Sequence, residues 1–114
     1  MPFRPRDIPR RRDNRVLFPS LNLSIGDDRR STLNWSYTGF LLFWPGVQPK
    51  RGEWIAGFLH PPPGTKDEET GAFDAVVVRA DPIRNHVALA MHRGTAQTYD
   101  IFETALRRAL RANR

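Results

Sequence analysis

No cysteine occurs anywhere in the 114 residues, which removes thiolate nucleophiles, Cys-ligated zinc, iron–sulfur clusters and disulfide staples in one step. That absence agrees with a reducing compartment, and a cytoplasmic location is the expectation. Long apolar runs are missing too. None exceeds five residues, as in Phe40 to Trp44, far short of the roughly 20 that a membrane-spanning helix needs. Six Arg fall within residues 1 to 15, but no apolar stretch follows them to act as the core of a signal peptide, and Pro2, Pro5 and Pro9 spoil an amphipathic transit helix. The N-terminus is therefore read as part of the working protein.

Enzyme signatures are equally scarce. The three histidines, His60, His86 and His92, show no H-x-x-x-H or comparable metal-ligand spacing. No G-x-S-x-G elbow is present. Gly64-Thr65-Lys66 lacks the first glycine of a phosphate loop and follows prolines that have no N–H to donate. The acids that cluster, Asp67-Glu68-Glu69, sit in a polar stretch where solvation explains them. Neither catalysis, nor a metal, nor a cofactor is expected.

What is present fits one domain. A chain of 13.1 kDa buries roughly two-thirds of its unfolded surface and needs no covalent staple. Its charge, 18 bases less 12 acids or +6, is unevenly spread. Residues 1 to 15 carry six Arg and two Asp, and residues 107 to 114 carry four Arg and no acid, so each end is +4. The body, 16 to 106, has eight bases and ten acids, net −2. Cationic ends on a near-neutral body suggest an anionic, phosphate-bearing partner, because clustered charge focuses a field that dispersed charge does not. The plainer account of such ends is solvated tails.

Pro19 to Ile25 alternates apolar and polar, as a half-buried strand does; Gly26-Asp27-Asp28 is turn chemistry; Ser31 to Ser36 alternates again, which predicts a hairpin. Phe40 to Trp44, Glu53 to Leu59, Ala72 to Arg79 and Val87 to Met91 read as four further strands, with an exposed loop from His60 to Gly71. The last element changes period: Tyr99, Phe102, Leu106 and Leu110 recur at helical spacing, Thr98 is in place to cap, Asp100 and Glu103 fall early, and Arg107, Arg108 and Arg111 late. Six short strands followed by one helix predict a mainly β fold, a six-stranded antiparallel barrel with a C-terminal α-helix.

Two segments carry binding chemistry. Arg11 and Arg15, four apart in Arg10-Arg11-Arg12-Asp13-Asn14-Arg15, share a face, and each presents a planar fork that grips a phosphate or a guanine edge at two points. In Asn34-Trp35-Ser36-Tyr37-Thr38-Gly39, strand alternation turns Asn34 and Ser36 outward while Leu33 and Trp35 point to the core, and Gly39 permits a sharp turn or a close ligand. Alone, the second segment reads more simply as a polar strand face ending in a turn glycine.

Together, in this order and at this separation, the two segments resemble the PilZ domain, the bacterial receptor for cyclic di-GMP, whose pattern is R-x-x-x-R, a hairpin, then [D/N]-x-S-x-x-G. Ala75-Val76-Val77-Val78-Arg79, Val87-Ala88-Leu89-Ala90-Met91 and the terminal helix look like the family's later elements, so the resemblance spans about residues 10 to 110. It implies a split barrel with its C-terminal helix, a domain from residue 10 to 114 preceded by a flexible basic arm over 1 to 9, and no enzymatic activity. Arg11 and Arg15 would contact phosphates and stack on or bond guanines. Asn34 and Ser36 would hydrogen-bond a guanine, Gly39 would let the ligand seat, and Arg10 would add a contact of the kind associated with an intercalated pair of cyclic di-GMP molecules. Asn34 departs from the commoner Asp and forgoes one charge-assisted bond to guanine N–H groups. The implied function is a cyclic di-GMP receptor whose Arg10 to Arg15 segment, mobile without ligand, folds over the nucleotide and presents a new surface to a partner protein. Two other readings stand beside it: a PilZ-like adaptor working through protein contacts alone, and a small barrel binding single-stranded nucleic acid with Trp44, Trp54 or Tyr37 as stacking platforms.

Overall fold

The computed structural model describes residues 15–65 and 69–112. Six strands form: β1 (Asn22–Ile25), β2 (Asp28–Ser36), β3 (Gly39–Phe43), β4 (Trp54–His60), β5 (Gly71–Asp81) and β6 (His86–Gly94), followed by one helix, α1 (Ala96–Ala112). Every pairing is antiparallel, and the order β1-β2-β3-β6-β5-β4 closes on itself because β4 pairs with β1. The fold is the expected closed six-stranded antiparallel barrel with a C-terminal helix. Closure leaves no long unpaired edge, which in a chain of this size protects strands as short as the four-residue β1.

Alternation sets the wall. Ile55, Gly57 and Leu59 of β4 face in while Trp54, Ala56 and Phe58 face out, and β5 repeats the pattern with Phe73, Ala75 and Val77 inward. Leu21, Leu23, Trp35, Phe40 and Leu89 complete the interior. Helix α1 lays Phe102, fully buried, onto that core: its ring lies 5.6 Å from Trp35 and 5.6 Å from Phe40, both near-parallel. The barrel interior is thus closed by a side chain of the helix rather than by another strand.

Three local expectations are corrected. The first strand begins at Asn22 rather than Pro19, although Leu21 still bonds β2 through its N–H to Thr32 Oγ1 at 2.7 Å and its carbonyl to Thr32 N–H at 2.8 Å. Thr32, not Leu33, is the residue turned inward, because a bulge between Thr32 and Asn34 shifts the register against β3. The helix is capped by Thr95, whose Oγ1 accepts from Thr98 N–H at 3.3 Å. Thr98 instead lies fully buried one turn in and donates its hydroxyl to Ala72 C=O at 2.7 Å, tying α1 to β5. Because the helix runs from Ala96 to Ala112, its first turn holds no acid and its last turn holds Arg111 but neither Arg107 nor Arg108. Its buried stripe is Thr98, Ile101, Phe102, Ala105 and Ala109, while Tyr99 and Leu110 stand exposed. Two alanines at the seam let the helix backbone come close, so the larger leucines are displaced to its flank.

Candidate functional site

The site begins with a gap in the pairing of β2. Strand β1 covers only Asp28 to Ser31 of its neighbour, which leaves the Trp35 backbone open on that side. Val16 fills it: Val16 N–H donates to Trp35 C=O at 2.7 Å and Trp35 N–H to Val16 C=O at 3.0 Å. Between this bridge and β1, Pro19 is buried and its carbonyl accepts from Trp35 Nε1 at 2.8 Å. The chain ahead of the barrel is therefore held against β2 at both ends of a short span.

That anchoring puts Arg15 over the far end of the β2–β3 hairpin. Its Nε donates to Asn34 Oδ1 at 2.8 Å, Nη1 to Ser36 Oγ at 2.8 Å, and Nη2 to the Gly39 carbonyl at 3.2 Å. One guanidinium spans three residues that lie 19, 21 and 24 positions downstream. The two-residue turn Tyr37-Thr38 makes this compact, with Thr38 N–H donating to Ser36 Oγ at 3.2 Å and the two hydroxyls 2.9 Å apart. Asn34 and Ser36 do share the outward face, but Ser36 is only 5% exposed because Arg15 and the turn cover it. Since an arginine only donates, Asn34 must present its oxygen to Arg15, which leaves its amide N–H groups for other acceptors.

Gly39 has a structural task of its own. It pairs with Ala90 of β6, and a Cβ on it would overlap the Leu89 carbonyl, so glycine is what permits β3 and β6 to approach. Arg15, Asn34, Ser36 and Gly39 are thus brought together, whereas Arg10 and Arg11 lie outside the described residues.

Next to this cluster, the outer wall over β3, β6 and β5 forms a shallow depression of about 380 Å³. Its floor is Gly39, Leu41, Ala88 and Ala90, and Arg15 and Arg79 both line it. A second depression, of about 450 Å³, lies elsewhere on the wall and includes Phe58, Asp74 and Arg93. There Arg93 and Asp74 pair with each other at 3.2 Å, so the charge is internally satisfied. On its other side Arg15 also borders an apolar groove formed by Val16, Leu17 and Phe18 with Leu106, Ala109 and Leu110 of α1. The described part of the basic N-terminal segment and the end of the basic helix therefore meet at one groove.

The aromatic residues that would serve a nucleic-acid strand are differently disposed. Trp44 is buried, with the Arg30 guanidinium 4.0 Å over its ring and its Nε1 donating to Val47 C=O at 3.0 Å. Tyr37 packs edge-on against Phe102 at 5.6 Å, and Trp54 meets His92 edge-on at 4.9 Å. Trp44 is thus not an available stacking platform. Among the described residues there is no group of three metal-ligating side chains, and no helix is long and apolar enough to cross a membrane.

Sequence reasoning missed Val16, whose bridge places Arg15, and Arg79, which borders the cluster. No family model matches the chain, and no curated protein matches it. Among solved structures the fold is similar to that of the Bacillus subtilis inhibitor of motility (MotI/DgrA), with a TM-score of 0.68 at 21% sequence identity. The likeness covers 88% of this chain and 52% of that one, so the chain spans about half the length of that neighbour.

Proposed function

We propose that this chain is a PilZ-type receptor for cyclic di-GMP that signals to a partner protein. The observation that carries the reading is the convergence of Arg15 on Asn34, Ser36 and Gly39. The second arginine of R-x-x-x-R meets all three fixed residues of N-x-S-x-x-G at one corner of the barrel, and although the hairpin itself gathers Asn34, Ser36 and Gly39, no local geometry requires Arg15 to join them. The likeness of fold to MotI/DgrA supports the barrel as a scaffold for such a site.

In this reading Arg15 is pre-aimed by its protein acceptors and exchanges some of them for phosphate or guanine acceptors of the ligand. Arg11, one helical turn or one extended span earlier, closes from the other side, and Arg10 adds the contact that favours an intercalated pair. Asn34 offers its amide N–H groups and Ser36 holds the arginine in register. Output follows from connectivity: Arg15 borders both the ligand depression and the apolar groove of Val16, Leu17 and Phe18 against α1. A shift of Arg15 on ligand binding is transmitted through the adjoining residues to that groove, which a partner protein reads. Isothermal titration with cyclic di-GMP at physiological salt tests this directly. Saturable binding with one or two nucleotides per chain is expected, and absence of heat or of any chemical-shift change at up to millimolar ligand overturns it.

A further inference from the structure

Resting on that reading, we propose that Arg79 is a base-reading residue of the same site, holding the N7/O6 edge of a guanine laid on the floor of the depression. Four observations support it. Arg79 borders the depression with Arg15, so two guanidinium groups flank one cavity. Its position follows from a bulge in β5: the register against β6 shifts between Val77 and Arg79, so that Val78 stands 46% exposed and Arg79 falls opposite Ala88. Bulges re-aim side chains in this way at functional edges of sheets. Among the described residues the Arg79 side chain makes no hydrogen bond or ion pair, unlike that of Arg15.

The floor supplies the fourth observation. Gly39 pairs with Ala90 and Leu41 with Ala88, so three of the four floor positions carry a methyl group or nothing. A flat, apolar surface without donors suits the face of a purine ring and would desolvate a phosphate without recompense. A ring on that floor turns its edge to the rim, where Arg79 stands. A guanidinium fork matches the paired N7 and O6 acceptors of guanine, while adenine presents a donor in place of O6.

The test is titration of the full chain and of Arg79→Ala with cyclic di-GMP and with its 7-deaza analogue, which lacks N7 but keeps both phosphates. The intact chain is expected to bind cyclic di-GMP about 10- to 100-fold more tightly than Arg79→Ala does, in the range of a bidentate base contact. It should also prefer the natural ligand over the analogue, and Arg79→Ala should lose that preference. Arg79→Lys should not restore it, since a point charge lacks the fork. If Arg79→Ala binds both ligands as the intact chain does, Arg79 takes no part. If it weakens both equally and keeps the preference, Arg79 holds a phosphate and the base assignment is wrong. Failure of the intact chain to bind cyclic di-GMP would overturn the receptor reading and this assignment with it.

Discussion

Replacing Arg15 by Ala removes three hydrogen bonds at once, to Asn34 Oδ1, Ser36 Oγ and the Gly39 carbonyl. The effect on ligand affinity is a difference, because these bonds exist before the ligand arrives. Two bonds from a guanidinium to ligand acceptors contribute about 3–6 kcal/mol at 1.5–3 each. Surrendering the partly exposed protein bonds takes back about 2–3 kcal/mol, at roughly 1 each. The net of about 2 kcal/mol corresponds to a loss of about 30-fold in affinity for Arg15→Ala. The cost to the fold should be about 2–3 kcal/mol on the same scale, at roughly 1 for each of the three protein bonds lost. Calorimetric titration at physiological salt reads the first quantity and urea denaturation without ligand the second. Arg15→Lys discriminates further: it keeps the charge but cannot bridge three acceptors, and should recover little of the loss. Binding of Arg15→Ala within about two-fold of the intact chain would refute the clamp, as would full recovery by lysine, which would reduce the contact to long-range attraction.

Other expectations follow from packing and protonation. Gly39→Ala forces a methyl into the Leu89 carbonyl and should lower stability by at least the 1–3 kcal/mol typical of overpacking, roughly, with β3 and β6 moving apart; an unchanged urea midpoint would refute the close approach. Phe102→Ala empties the plug between Trp35 and Phe40 and should cost about 3–5 kcal/mol by the same measurement, and a cost near zero would mean that the helix does not close the barrel. Burial, reinforced by the Arg29 guanidinium, holds the His60 imidazole below its ordinary value of 6.5. The unfolded chain therefore takes up a proton at higher pH than the fold does, so this contribution to stability is intact above about 6.5 and declines as pH falls below it. His60→Gln should flatten the pH dependence of the denaturation midpoint in that window, and an unchanged slope would show that His60 is not its source.

The fold was legible because its chief signals are local. Period two in Trp54 to Leu59 and the valine run at Val76 to Val78 mark strands wherever they stand in the final sheet, and the change to helical period after Gly94 marks α1. The errors fall where partners at long range decide. Leu33 looked inward by alternation, yet the bulge against β3 turned Thr32 in, a shift visible only once Asn34 is seen opposite Leu41. The leucines of the helix outrank its alanines in hydrophobicity, but the seam was taken by Ala105 and Ala109 because close approach rewards small side chains where the barrel is already filled by Phe102.

The same division runs through the candidate site. Asn34, Ser36 and Gly39 are legible because two-residue alternation and a tight hairpin bind them to one short stretch, and Arg15 was reachable through the R-x-x-x-R spacing that accompanies them. The means of assembly was hidden. It depends on β1 ending its pairing at Ser31, which exposes the Trp35 backbone for Val16 to bridge, and no residue near Val16 advertises that vacancy. Arg79 is the stronger case: Ala75 to Arg79 reads as an ordinary core strand, and alternation continued from the inward Ala75 and Val77 assigns Arg79 to the interior. An arginine cannot be left inside an apolar barrel, so the sequence already contained a contradiction there. The bulge at Val77/Arg79 resolves it by turning the cation out onto the wall beside Arg15. A charged residue at an inward position of an otherwise regular strand is therefore a signal to seek a bulge, and the surface that the bulge serves is where a ligand contact should be sought.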